Sequence, residues 1–167
     1  MKKTVGLAIL LLFTASAAFA GTSPQMHDMT VQAQVIVDCT IGTVGTMDFG
    51  SLGLAFITTD KDTSTTISYQ CTTGTLPTVT IGQGLHAAGG SSDGSPLRQM
   101  ASGANLITYN LYTSNAYTTV WGNTPATGVA QPVANGASQT TTVFGRAAHA
   151  NVPTGSYSDT VVVTYTF

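Results

Sequence analysis

The 167-residue sequence contains no glutamate, five lysines and arginines, one tryptophan and two cysteines, and only 7% of its side chains are charged. Each scarcity excludes something. Phosphate recognition needs clustered cations, and beyond the first three residues only Lys61, Arg98 and Arg146 remain, far apart in sequence, so nucleic acid is not an expected partner. Paired-carboxylate catalysis has one candidate pair, Asp60 and Asp62 around Lys61, in a stretch that reads as a solvated turn. The many serines are read as forming no G-x-S-x-G nucleophile elbow, and the glycine-rich stretches form no phosphate loop. The chain is therefore read as a non-enzyme with no cofactor.

The first twenty residues have their own logic. Met1-Lys2-Lys3, the apolar run from Val5 to Phe13 and the closing Ala18-Phe19-Ala20 follow the order of a secretory signal peptide, with cleavage expected after Ala20. The run is too short to span a bilayer, and no later stretch approaches 18 consecutive apolar residues, so membrane insertion is not expected. What remains suits one domain, with three cations against seven aspartates and a net charge of about −4. Cys39 and Cys71 both fall in the exported part, where oxidation is permitted, and a single disulfide is the default reading. Closing that loop stabilises by about 3.7 kcal/mol in the chain-entropy picture.

What the sequence has in plenty is threonine, with Val, Ile and Tyr in short runs cut by Gly, Ser, Asn and Pro. This is strand material punctuated by turns. Strands are predicted at 29–41, 62–72, 76–82, 105–113, 139–148 and 157–167, arranged as an antiparallel sandwich. Strict alternation marks the two ends. Met29, Val31, Ala33, Val35, Val37 and Cys39 share one face, with Ile36 as the exception. Tyr157, Val161, Val163, Tyr165 and Phe167 share another, broken by Asp159 and Val162. The stretches from Gly82 to Gly94 and from Gly122 to Gly136 read as long connections.

Two chemical alternatives attach to particular residues. Met26-His27-Asp28-Met29 combines soft thioethers with an imidazole and suits copper, although His86 and His149 lack ligand spacing and Met29 also reads as the first inward residue of a strand. Trp121 with Tyr109, Tyr112 and Tyr117 would make a sugar-binding platform if exposed; burial in the sandwich is the commoner outcome.

An amphipathic strand just upstream of a disulfide is covalently free to pair elsewhere. If the domain lacks one edge strand of its own, a neighbour's N-terminal strand can fill the gap. The same strand can equally pair within its own sandwich, and periodicity does not separate the two.

The order of short motifs along the chain resembles the spore coat protein U domain family, which includes subunits of archaic chaperone-usher pili. The motifs are Cys39-Thr40-Ile41, Met47-Asp48-Phe49-Gly50, Thr65 to Thr72, Leu97-Arg98-Gln99-Met100, Tyr109-Asn110-Leu111-Tyr112, Trp121-Gly122, Val143-Phe144-Gly145-Arg146 and Gly155 to Phe167. The resemblance implies an incomplete immunoglobulin-like β-sandwich completed by donor-strand complementation, delivered by a periplasmic chaperone and assembled at an outer-membrane usher. It implies a signal peptide at 1–20, a donor-strand extension at 21–37 and the sandwich at 38–167. Met29, Val31, Ala33, Val35 and Val37 then look like donor-strand contacts. Val161, Val163, Tyr165 and Phe167 look like the groove edge and chaperone-binding strand, with the Phe167 carboxylate as an anchor for basic chaperone residues. The expected function is a structural subunit of a surface pilus, polymerising head to tail to support attachment and biofilm formation. The alternatives are a monomeric secreted coat or matrix protein and, behind it, a periplasmic copper-binding protein.

Overall fold

The computed structural model describes residue 21 and residues 23–167; the expected leader and its cleavage site lie outside the described residues. The chain divides into two units, one reaching to Gln34 and the other Val35–Phe167. In the first, no described residue belongs to a helix or strand and every one is exposed.

The second unit holds the strands β1 (Cys39–Val44), β2 (Lys61–Cys71), β3 (Thr78–Ile81), β4 (Arg98–Ser102), β5 (Asn105–Tyr112), β6 (Val129–Ala130), β7 (Gln139–Ala147) and β8 (Val163–Thr166), plus one 3-10 turn at Leu54–Ile57. They form a five-stranded sheet in the order β1-β2-β7-β5-β4 and a three-stranded sheet in the order β6-β3-β8. All strand pairs are antiparallel. The fold is an all-β, immunoglobulin-like sandwich. Among the described residues no helix is long and apolar enough to cross a membrane.

The predicted strands differ from the observed ones mainly at the two ends. Of the run 29–41 only the part from Cys39 is paired, because residues 29–38 have no partner strand. Of the run 157–167, only Val163–Thr166 forms a strand; upstream there are an isolated bridge between Ser158 and Ala101 and single backbone bonds from Gly82 N–H to Val162 and from Leu85 N–H to Thr160. The chain here leaves β4 in one sheet and joins β3 in the other, so its middle cannot stay in a single ladder. Strand β4 went unpredicted because Arg-Gln-Met-Ala-Ser has no β-branched residue. It forms through its hairpin with β5, where Ser102 faces Asn105 and Gly103, at φ 59°, supplies the left-handed residue of a two-residue loop. The two-residue β6 lies inside the predicted connection from Gly122 to Gly136.

The inward-facing residues of β2 and β7 form part of the sandwich interior. Ile67 and Val143 pack with Val79, Ile81, Ile107, Leu111 and Trp121 in one cluster. Trp121 and Tyr109 are therefore core residues and offer no sugar platform. The indole Nε1 of Trp121 donates to the Val79 carbonyl at 2.9 Å, which satisfies its one polar atom inside the core. A second, smaller cluster holds Tyr69, Cys71 and Ala134 with Cys39 and Tyr165 against them. Cys39 and Cys71 face each other across the β1–β2 ladder and form the disulfide.

Arg98 ties the sheets together. It is 0% exposed, yet it lies in β4 and reaches across to the end of β3. Its Nε donates to the Gly82 carbonyl at 2.8 Å, its Nη2 to the Ile81 and Trp121 carbonyls at 2.8 Å each, and its Nη1 to Asn110 Oδ1 at 3.2 Å. Three carbonyls left over where β3 ends thus find their donors in one planar fork. Burial pulls the guanidinium down to about 10, opposed by Tyr109 and Asp159 nearby, so it stays charged at neutral pH.

Candidate assembly site

The two sheets are open along one side. Strand β1 is one edge of the five-stranded sheet and β8 is one edge of the three-stranded one, and each pairs on one side only. Their facing edges are antiparallel: Cys39 packs near Tyr165 at one end, and the continuation of β1 through Met47 and Phe49 meets Tyr157 to Val163 at the other. Between them lies a cavity of about 460 Å³ with Ile67, Ile81, Leu111 and Val143 among its lining side chains. It adjoins a second cavity of about 730 Å³ around Leu52, Phe56, Ile107 and Val152, the two sharing Met47, Asp48, Phe49, Met100 and Tyr157. The open side is thus a long groove with apolar side chains on its floor between the β1 and β8 edges and a more polar extension around Asp48 and Asn151, flanked by unpaired edge-strand backbone, the arrangement that invites strand addition.

Local sequence shapes both rims. Between Ile41 and Val44 the β1 ladder slips, and Gly42 lets Ser68 approach so closely that a Cβ would collide with its hydroxyl. The Ser68 hydroxyl accepts the Thr43 N–H at 2.6 Å within this irregular stretch. On the floor, Gly145 of β7 makes room for Met47: a Cβ there would lie 2.6 Å from the Met47 sulfur.

On the opposite rim the break in alternation at Asp159 has a structural cause. Its side chain is 2% exposed and accepts hydrogen bonds from Leu85 N–H at 2.9 Å, His86 N–H at 3.2 Å and Tyr109 O–H at 2.7 Å, with His86 Nδ1 3.1 Å away. An inward-pointing acid would be costly without such partners. Burial, then the bond to Asp159, pushes the Tyr109 hydroxyl well above its ordinary range, so it remains a donor. The sequence marked Asp159 as an irregularity and gave no role to His86; only the folded chain brings residues 73 apart into contact.

Val161 and Val163 line the cavity and Tyr165 packs beside the disulfide, whereas Phe167 stands half exposed at the chain end. Of the expected donor contacts, Met29, Val31 and Val35 are 85%, 84% and 88% exposed, and Ala33 and Val37 are exposed as well. None lies in a strand. The extension ends sharply: Asp38 receives the Thr72 N–H on its carbonyl at 2.9 Å and gives its own N–H to Thr72 Oγ1 at 3.1 Å, immediately before the disulfide.

The candidate catalytic side chains among the described residues are engaged in structural contacts. Gly90-Ser91-Ser92-Asp93-Gly94 has the spacing of a nucleophile elbow, contrary to the sequence reading that dismissed the serines, but Ser92 lies in a tight turn and its hydroxyl accepts the Ser95 N–H. The imidazoles of His86 and His149 are taken up by Asp159 and Asp60. Asp62 forms a two-pronged pair with Arg146 at 2.7 and 2.8 Å, and Arg146 lies over the Tyr117 ring. Asp60 and Asp62 are thus engaged with a histidine and an arginine. Among the described residues no group of three His, Cys, Asp or Glu is placed to hold a metal, and His27 is exposed.

Residues 25–164 match the family model of the Spore Coat Protein U domain, and the chain belongs to that family. It is 34% identical to Protein U of Myxococcus xanthus over 170 residues, covering 96% of this chain and 92% of that one. Its fold resembles a chain in the crystal structure of the CsuC–CsuE chaperone–tip adhesion subunit pre-assembly complex from archaic chaperone-usher Csu pili of Acinetobacter baumannii, with a TM-score of 0.59 at 20% identity. That match covers 80% of this chain and 40% of the other, so the chain spans about two fifths of its length.

Proposed function

We propose that this protein is an exported structural subunit that polymerises by donating residues 21–37 to the groove of the next copy. The observation that carries the reading is the pairing of opposites within one chain: a groove between unpaired β1 and β8 edges, and an alternating segment whose apolar residues are exposed. Five alternate positions on the rim, Tyr157, Asp159, Val161, Val163 and Tyr165, match in number the five donor positions Met29, Val31, Ala33, Val35 and Val37. Covering Met29, Val31, Val35 and Val37 contributes roughly 6 to 12 kcal/mol as an upper bound, before main-chain hydrogen bonds.

Donation to a neighbour is favoured over self-pairing. To lie in its own groove the segment must reverse direction before Cys39, and no glycine or proline occurs between Asp28 and Gly42 to make that turn. A contact of this head-to-tail kind does not close and builds a fibre. The family and the archaic chaperone-usher complex of similar fold support a pilus setting, with a periplasmic chaperone occupying the groove in transit, an outer-membrane usher assembling the fibre, and surface attachment and biofilm formation as the outcome. Deletion of residues 21–37 behind an intact leader tests this: the domain is expected to be exported and bind the chaperone but to add no further subunit. Fibres of normal length from the deletion refute the proposal.

A second reading, a coat or matrix protein, draws on the family and on the similarity to Protein U. A stable monomer purified without any chaperone, with residues 29–37 protected from proteolysis, favours it over the fibre.

A further inference from the structure

Strand β2, 11 residues long, separates two ends of the sandwich by roughly 33 Å. The head carries the turn Leu54–Ile57 just before β2 starts. The tail carries Cys39, the loop after Cys71, Phe167 and the stretch around Ala134, whose N–H bonds to Thr75. The N-terminal extension leaves from the tail, and nothing is left over for a linker, because Asp38 is clamped to Thr72 and Val37 is the last donor position.

These facts constrain how two copies meet. Were Val37 to lie at the tail end of a neighbour's groove, the two tails would face each other at the very place where the neighbour's own segment departs. An open fibre therefore needs Val37 at the head end, near Phe49 and Tyr157, with the strand running antiparallel to β8. The clamped Asp38 then sits one peptide, about 3.8 Å between Cα atoms, from a residue buried in the next domain. The tail of one copy must touch the head of the next.

Both ends carry apolar side chains that this contact explains. Leu54 at the head is 84% exposed, and Leu76 and Val133 at the tail are 66% and 56% exposed. We propose that Leu54 and Ile57 of one copy bury against Leu76 and Val133 of the copy whose strand it receives, so that successive subunits are held in a fixed relation by a second interface beyond the strand. The proposal rests on the donor-strand reading above and concerns a second copy of this chain as the partner.

The test uses fibres assembled from the full chain with its chaperone and usher. In a Leu54→Cys, Leu76→Cys double variant, mild oxidation is expected to link successive subunits into a ladder that survives boiling without reductant. Leu54→Asp and Leu76→Asp, which need no new thiol, are each expected to shorten the persistence length of fibres in electron micrographs at least threefold, with Thr142→Asp on the exposed mid-sheet face as an unchanged control. Fibres that form normally but give no ladder and keep their stiffness in both Asp variants overturn the interface and leave strand donation standing. Failure of the wild-type chain to polymerise overturns both.

Discussion

Tyr109 donates its hydroxyl hydrogen to Asp159 Oδ2 at 2.7 Å, joining β5 in the five-stranded sheet to the crossing segment that becomes the groove rim. The same carboxylate holds the backbone of Leu85 and His86. One acid thus fixes the position of a rim that has few ladder bonds of its own.

Asp159→Asn keeps the shape but replaces an acceptor oxygen with a donor facing N–H and O–H groups. It is expected to destabilise the domain by about 2 kcal/mol, read from the urea midpoint. Coupling to Tyr109→Phe in a double-mutant cycle is expected to be about 1 kcal/mol or more. Additive effects would mean the hydrogen bond does not link the two elements.

Arg98→Lys is expected to behave almost as badly as Arg98→Ala, each losing at least about 3 kcal/mol, because a single ammonium cannot serve the carbonyls of Ile81, Gly82 and Trp121 together. Chemical denaturation decides; a mild Lys variant would show that charge alone suffices.

Tyr165→Phe is expected to be neutral or stabilising by up to about 1 kcal/mol. The Tyr165 hydroxyl is buried with no hydrogen-bond partner among the described residues, and burial raises its pKa. A loss of more than about 1 kcal/mol in a thermal melt would point to a partner for that oxygen.

Val35→Asp is expected to abolish polymer formation, since it places a charge against an apolar groove, whereas Gln34→Asp on the opposite face of the segment leaves assembly largely intact. Native gel ladders report both. Equal effects of the two would contradict an alternating insertion.

Acid sensitivity has one surface contributor that can be isolated. Hydrogen bonding from His149, backbone first and side chain second, holds the Asp60 carboxyl below its ordinary pKa. A lowered folded value stabilises above the unfolded pKa, near 4, and that contribution disappears as pH falls through the folded value. Asp60→Asn is therefore expected to lower stability slightly at pH 6 and not at pH 2, in melts at both. The effect is small because the pair is largely solvated.

How much of this was legible differs from residue to residue. The period-2 faces of 29–39 and 157–167 are properties of the chain alone, as are the scarcity of charge and the Cys39–Cys71 pair, so β class, the disulfide and the family could be read from them. Val161 and Val163 line the cavity between the two sheets. Alternation could not say whether 29–38 pairs at home, because an inward face looks the same whichever molecule supplies the inside. That β1 and β8 stand opposite each other as unpaired edges was decided by tertiary structure, since a gap between two sheets is defined by strands 119 or more residues apart along the chain. The same holds for Arg98 and Asp159. Their charges are visible in the sequence, but the carbonyls and hydroxyls that make burial tolerable come from distant loops, and only the folded chain assembles them.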